Sequence, residues 1–154
     1  MGAYYFDSSA LVKRYAQEVG SPWVISLTDP QSGNDIFTAL VVGVEIVAAI
    51  ARKARIGSIS MQDTTVAIAV FKSHFKVQYR LVLMTAAIVE RAMDLAEQHG
   101  LRGYDAIQLA SALAVQAELS ISGVSLAAFV SADANLNKAA QAEGLAVENP
   151  NDHP

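Results

Sequence analysis

The chain has 154 residues, 53% of them hydrophobic and 17% charged, with no cysteine and a formal net charge of −4. That length suits one domain with a sizeable core, here residues 1–149, followed by a short tail over 150–154. The missing cysteines exclude disulfides and thiolate metal sites and fit a reducing compartment. The acidic balance excludes a generally basic, nucleic-acid-coating surface but leaves room for a local patch.

In chain order, residues 3–6, AYYF, read as a short buried strand. Ser8 to Gln17 follows as a helix with Leu11, Val12 and Tyr15 on one face. Ser21 and Pro22 start a second short helix, Ser21 as N-cap and Pro22 at the first position. A strand near Ile36–Thr38 leads into a helix carrying Glu45, which ends in Arg52, Lys53 and Arg55, where cations suit the helix dipole. Met61 to Phe75 is a further apolar helix with Val66, Val70 and Phe71 in helical spacing. YRLVLM, residues 79–84, is a strand. Thr85 then caps an amphipathic helix with Ile88, Ala92, Leu95 and Ala96 inward, closed by His99 and Gly100. A helix begins near Asp105, followed by the buried strand LAAFVS, a short helix to about Glu143, and a last strand LAVE.

Strands alternating with helices predict a parallel sheet covered on both faces. Ligands of such folds gather outside the carboxyl ends of the strands, where Asp7 and Asp133 stand. No segment reads as a targeting signal, and the apolar run over residues 36–51 is too short, with a charge at its centre, to span a bilayer. A cytoplasmic protein without membrane association is expected.

Glu45 is the most informative residue. It is the only ionisable group in IFTALVVGVEIVAAIA, and no Lys or Arg lies three or four positions away to pair with it. An unpaired ion on a buried helix costs on the order of several kcal/mol. Asp7 after AYYF, Asp133 after LAAFVS and Asp105 ahead of AIQLASALAVQA are similarly isolated. Each acid has a purely structural alternative. Asp7 and Asp133 precede helices and suit N-caps. Asp105 gains from a helix start, and Glu45, expected mid-helix, has Arg102 as the obvious distant partner.

Taken together, the four acids predict one shared cation site. Two carboxylates about 4 Å apart repel by roughly 4 kcal/mol at an effective dielectric near 20. Oxygen ligation without cysteine favours Mg²⁺ or Mn²⁺ over zinc. Carboxylates holding such ions serve phosphodiester hydrolysis. Asp7, Glu45, Asp105 and Asp133 are therefore the candidate catalytic and metal-ligating residues. The phosphate-binding, dinucleotide-binding and nucleophile-elbow motifs are absent. His74 lies beside Lys72 and Lys76 on a helix end expected to be solvated, His99 ends a helix, and His153 lies in the tail; none is expected to be catalytic. Trp23, Phe71 and Phe75 are expected in the core or facing a partner.

These residues, in this order, resemble the PIN-domain ribonucleases, and specifically the toxins of VapBC-type toxin–antitoxin pairs. FDSSALVKRYAQEVGS is similar to the family's first motif, and VGVEIVAAIAR to its Glu-bearing helix. LRGYDAIQLASAL resembles the third motif, and FVSADANLNKAAQAEGLAVENP the closing segment. The resemblance spans essentially the whole chain. It implies a Rossmann-like α/β three-layer sandwich with a short central parallel sheet, and a Mg²⁺- or Mn²⁺-dependent endoribonuclease. It also implies a homodimer inhibited by a cognate antitoxin whose tail wraps the toxin. By the same likeness Asp7 and Asp105 are the principal metal ligands, Glu45 and Asp133 complete the site, and Ser8 or Ser9 and Ser131 support it with hydroxyls. Lys13, Arg52, Lys53, Arg55 and Arg102 are available to contact RNA phosphates. Two other readings stand beside this one: a PIN-like binding or regulatory module with negligible turnover, and a metal-dependent phosphatase acting on a small phosphoester.

Overall fold

The computed structural model describes residues 1–154. Five strands, β1 (Ala3–Phe6), β2 (Asp35–Ala39), β3 (Arg80–Val82), β4 (Ala128–Val130) and β5 (Val147–Glu148), form one parallel sheet in the order β3-β2-β1-β4-β5. Seven helices flank it: α1 (Ser8–Leu11), α2 (Ser21–Thr28), α3 (Val42–Arg55), α4 (Met61–Val77), α5 (Ala86–His99), α6 (Gly103–Ile121) and α7 (Ala134–Ala142). The result is the three-layer α/β sandwich expected from the alternation of strands and helices. No helix is long and apolar enough to cross a membrane.

Strand order decides where a site can form. From β1 the chain steps outward to β2 and β3, then returns to place β4 on the other side of β1. Such a reversal opens a crevice at the carboxyl ends of the two central strands. Register pairs Tyr5 with Phe129 and Phe6 with Val130. Asp7, the next residue, therefore stands at that crevice, its N–H donating to the Val130 carbonyl at 3.1 Å.

The core runs beneath the crevice. Tyr5, Phe6, Phe129 and Val130 are fully buried, and the Tyr5 and Phe129 rings stack with centroids 5.6 Å apart. Helix α6 explains its own uncharged sequence: Ala106, Gln108, Leu109, Ala110, Ser111, Ala112 and Val115 are all buried. A helix covered on several sides has little room for charge. Its small residues also admit α5 at close range. Gly43 does the same for α3 and α4, since a side chain there would meet the Phe75 ring at 3.0 Å. Thr85 and Gly100 cap α5 as expected, the threonine hydroxyl accepting the Ile88 N–H and Gly100 adopting φ 64°.

Two local expectations are corrected. The first helix ends at Leu11 and tightens into a 3-10 turn over Val12–Arg14. The tightening accompanies a buried Lys13, which donates to Glu18 and Asn151 at 3.0 Å each. Ser21 does not cap α2, because its hydroxyl is taken by the preceding 3-10 turn and loop: it donates to the Lys13 carbonyl at 2.7 Å and accepts the Glu18 N–H at 2.9 Å. Gly20 occupies the cap position instead at φ 84°, where an added Cβ would fall 2.1 Å from the Pro150 carbonyl oxygen. The chain end is docked there: Pro150 is buried, and the His153 ring stacks on Trp23 at 4.2 Å.

Candidate active site

Each of the four isolated acids sits at the start of a helix. Asp7 caps α1, its Oδ1 accepting the Ala10 N–H at 2.9 Å. Asp133 caps α7, its Oδ1 accepting the Leu136 N–H at 3.0 Å. Asp105 lies in the first turn of α6 and Glu45 in the first turn of α3. Glu45 is thus not mid-helix as expected. Helix α3 begins at Val42 without a capping side chain, so the apolar run hid its start. The partial positive charge of a helix N-terminus favours a carboxylate by roughly 0.3–1 kcal/mol, and four such ends converge on this crevice.

Neutral donors hold two of the acids. Glu45 makes no ion pair with Arg102; Ser8 Oγ donates to its Oε2 at 3.1 Å and Gln108 Nε2 to its Oε1 at 2.8 Å. Tyr5 in turn donates to Gln108 Oε1 at 2.7 Å. Asp7 is only 2% exposed. Ser9 Oγ lies 2.8 and 2.9 Å from its two oxygens, and Ser131 Oγ donates to Oδ2 at 2.8 Å. Those hydroxyls are themselves anchored, Ser9 Oγ accepting the Ala132 N–H at 2.9 Å and Ser131 Oγ the Asp133 N–H at 3.1 Å.

The electrostatics follow from this burial. Desolvation pushes the Asp7 carboxyl up to about 7, against the hydrogen bonds from Ser9, Ala10 and Ser131, and the charge of Asp105 adds to the rise. Glu45 is raised by burial and further by Asp105. Asp105 is raised by burial and by Asp133, with Arg102 opposing. Asp105 therefore stands within electrostatic reach of all three other acids. It receives no hydrogen bond from the protein. A cavity of about 590 Å³ is lined by Glu45, Asp105 and Asp133 together with Arg102 and Tyr104, whereas the buried Asp7 does not line it.

No three acidic side chains close tightly enough to cage an ion in this arrangement. The donor chemistry nevertheless fits a hard divalent cation. All the candidate ligands are carboxylates, none forms a salt bridge, and three have proton affinities raised by burial and by neighbouring acids.

The histidines lie elsewhere. His74 is not a free, solvated residue: its Nδ1 meets the Tyr15 hydroxyl at 2.9 Å. His99 reaches Glu143 and His153 reaches Glu148. Of the five candidate phosphate-binding cations, Lys13 and Lys53 are occupied by Glu18, at 3.0 and 2.6 Å. Arg52, Arg55 and Arg102 remain unpaired. Sequence reasoning missed Gln108 and Tyr104. The available signal for Gln108 was a lone amide in an apolar helix, which needs a partner for the same reason an isolated acid does.

A family model for the PIN domain matches residues 4–142. Curated relatives include Ribonuclease VapC45 and Ribonuclease VapC49, both from Mycobacterium tuberculosis. Each is 37% identical over 116 residues, covering 75% of this chain and 78% of the relative. Among solved structures, FitAcB from Neisseria gonorrhoeae superposes with a TM-score of 0.62 at 14% identity, covering 96% of this chain and 97% of that one. VapBC2 from Rickettsia felis, solved bound to a DNA fragment from their promoter, gives 0.61 at 15% identity over 96% and 98% of the two chains. PAE2754 from Pyrobaculum aerophilum gives 0.61 at 16% over 97% and 90%. Identities this low bear on the fold alone, whereas the family model and the curated relatives bear on descent. The chain is a PIN-domain protein of the VapC ribonuclease family.

Proposed function

We infer that this protein is a VapC-type toxin: an endoribonuclease that hydrolyses RNA phosphodiester bonds with Mg²⁺ or Mn²⁺ and is held inactive by a cognate antitoxin. The observation that carries this reading is the place of Asp105, its carboxylate free of hydrogen bonds and within electrostatic reach of Asp7, Glu45 and Asp133. Asp7 and Asp105 would be the principal metal ligands, with Glu45 and Asp133 completing the set. A divalent ion bound there would activate water and neutralise charge on the reacting phosphate.

The chain's own groups prepare that chemistry. Ser9 and Ser131 fix the orientation of the Asp7 carboxylate, and Ser8 and Gln108 do so for Glu45. Neutral donors leave both acids without a countercharge, the place a bound cation would take. Helix N-termini add positive potential around the crevice. Arg52 and Arg102 remain to contact substrate phosphates.

The antitoxin seat we propose is apolar. Val66, Val70 and Val77 fall along one stripe of α4, and all three are exposed. Val44 on α3 is 72% exposed. A partner segment covering such side chains gains roughly 25 cal/mol for each Å² buried. Homodimerisation is part of the same proposal and would bring arginines from two subunits to one RNA.

The test is cleavage of an end-labelled RNA with Mg²⁺ or Mn²⁺, its arrest by EDTA, and a parallel assay on a small phosphomonoester. RNA cut and phosphoester untouched is the expected result. Phosphoester turnover alone would favour a phosphatase, and no turnover of either would favour a regulatory module.

A further inference from the structure

Glu45, Arg102 and Tyr104 line two cavities at once. The first, about 590 Å³, also contains Asp105 and Asp133. The second, about 530 Å³, is lined further by Ser8, Ser9, Val12, Ala48, Ala49 and Arg52. The two differ in chemistry. The first concentrates carboxylates, which repel a polyanion. In the second Glu45 is the only acid, set among apolar side chains, serine hydroxyls and two arginines.

Tyr104 is 56% exposed and its hydroxyl has no partner, although it stands one residue before Asp105. Arg52 and Arg102 form no salt bridge, although Glu45 lines the same cavity. An accessible aromatic ring beside unpaired arginines combines the two elements that hold a nucleic-acid strand: a face for a base and charge for its backbone. The apolar wall accepts a flat ring, and the positive charge complements a phosphate on either side of it.

We propose that the second cavity is a nucleobase subsite beside the scissile phosphate, with the base against Tyr104 and the flanking phosphates on Arg52 and Arg102. This subsite sets where along the strand the enzyme cuts. The assignment rests on the ribonuclease reading, because it takes the reacting phosphate to lie in the neighbouring acidic cavity. Tyr104 stands in the first turn of α6, one residue before Asp105.

The experiment maps cut positions on an end-labelled RNA of mixed sequence and measures KM and kcat for the parent, Tyr104→Ala, Tyr104→Phe and Ala48→Trp, each checked for folding by thermal unfolding. Residues 48 and 104 are exposed, so the fold should tolerate all three changes. Loss of one stacked base should raise KM roughly five- to a hundredfold in Tyr104→Ala, with little change in kcat and a broader set of cut positions. Tyr104→Phe keeps the ring and should keep the parent pattern. Ala48→Trp fills the cavity and should abolish the preferred cuts.

If Tyr104→Ala and Ala48→Trp cut the same positions with the parent KM, the subsite is overturned while the ribonuclease reading stands. If Ala48→Trp blocks antitoxin binding and leaves cleavage unchanged, the cavity belongs to the antitoxin and the proposal also fails. A parent protein that cuts no RNA overturns both readings together.

Discussion

Ser131 Oγ donates to Asp7 Oδ2 at 2.8 Å, joining residues that lie 124 positions apart in sequence. The bond crosses the crevice between β1 and β4, the one place where the sheet order reverses. Because the same serine hydroxyl accepts the Asp133 N–H, it couples two of the four acids through neutral groups. Asp7 thus gains orientation without gaining a countercharge, while burial raises its proton affinity against the pull of these bonds.

That affinity has a stability consequence whose sign is fixed. Asp7 titrates at about 7 when folded against 3.8 for a free side chain. Between those values the unfolded chain ionises first, so stability falls as pH rises from about 4 to about 7 and then levels. Asp7→Asn removes this contribution. In urea unfolding with EDTA, the variant should become more stable relative to the parent as pH rises through that window, by on the order of a few kcal/mol. A gap that shrinks with pH would contradict the assignment.

Metal binding should supply what the parent lacks at neutral pH. Millimolar Mg²⁺ or Mn²⁺ is expected to raise Tm by mass action on the folded state, and to do so less at pH 5, where protons compete for Asp7. Asp105→Asn should lose most of the shift. An equal shift in both proteins would place the ion elsewhere.

Gln108 bridges Tyr5 and Glu45 while 1% exposed. Gln108→Leu leaves the buried Tyr5 hydroxyl without its partner and releases Glu45. A loss of roughly 1–3 kcal/mol in denaturant unfolding is expected, together with weakened cleavage. Unchanged stability would show that another group, such as the neighbouring Ser111 side chain, takes over from the amide.

Gly20 meets two constraints together, a positive φ and a close approach to Pro150. Gly20→Ala should destabilise by about 1 kcal/mol or more. It should also alter Trp23 fluorescence, because the docked tail carries the His153 ring that stacks on it. Parent-like fluorescence and stability would mean that the tail contact is dispensable.

What the sequence disclosed depended on whether a residue's signal was local. Thr85 and Gly100 were legible as caps because each acts on its own helix end. Asp7 and Asp133 were legible as strand-end acids because short apolar strands run almost straight into them. The start of α3 was not legible, since Val41 and Val42 carry no capping chemistry and the apolar pattern is continuous from β2. Ser21 misled for the opposite reason: it has cap chemistry, but the 3-10 turn eight residues upstream claims its hydroxyl. Gln108 and the loss of Lys13 and Lys53 to Glu18 depend on contacts across the fold, which periodicity does not encode.

If these four acids form one metal-dependent ribonuclease site, removing the charge of Asp105 should disable it. Parent protein and Asp105→Asn, both folded by circular dichroism, are compared for cleavage of the same RNA with Mg²⁺ or Mn²⁺ and with EDTA. Cutting by the parent that EDTA abolishes is expected, with a rate at least roughly a hundredfold lower in the variant, the usual scale for losing a group that acts in the chemical step. Cleavage that survives both chelation and the substitution would contradict such a site.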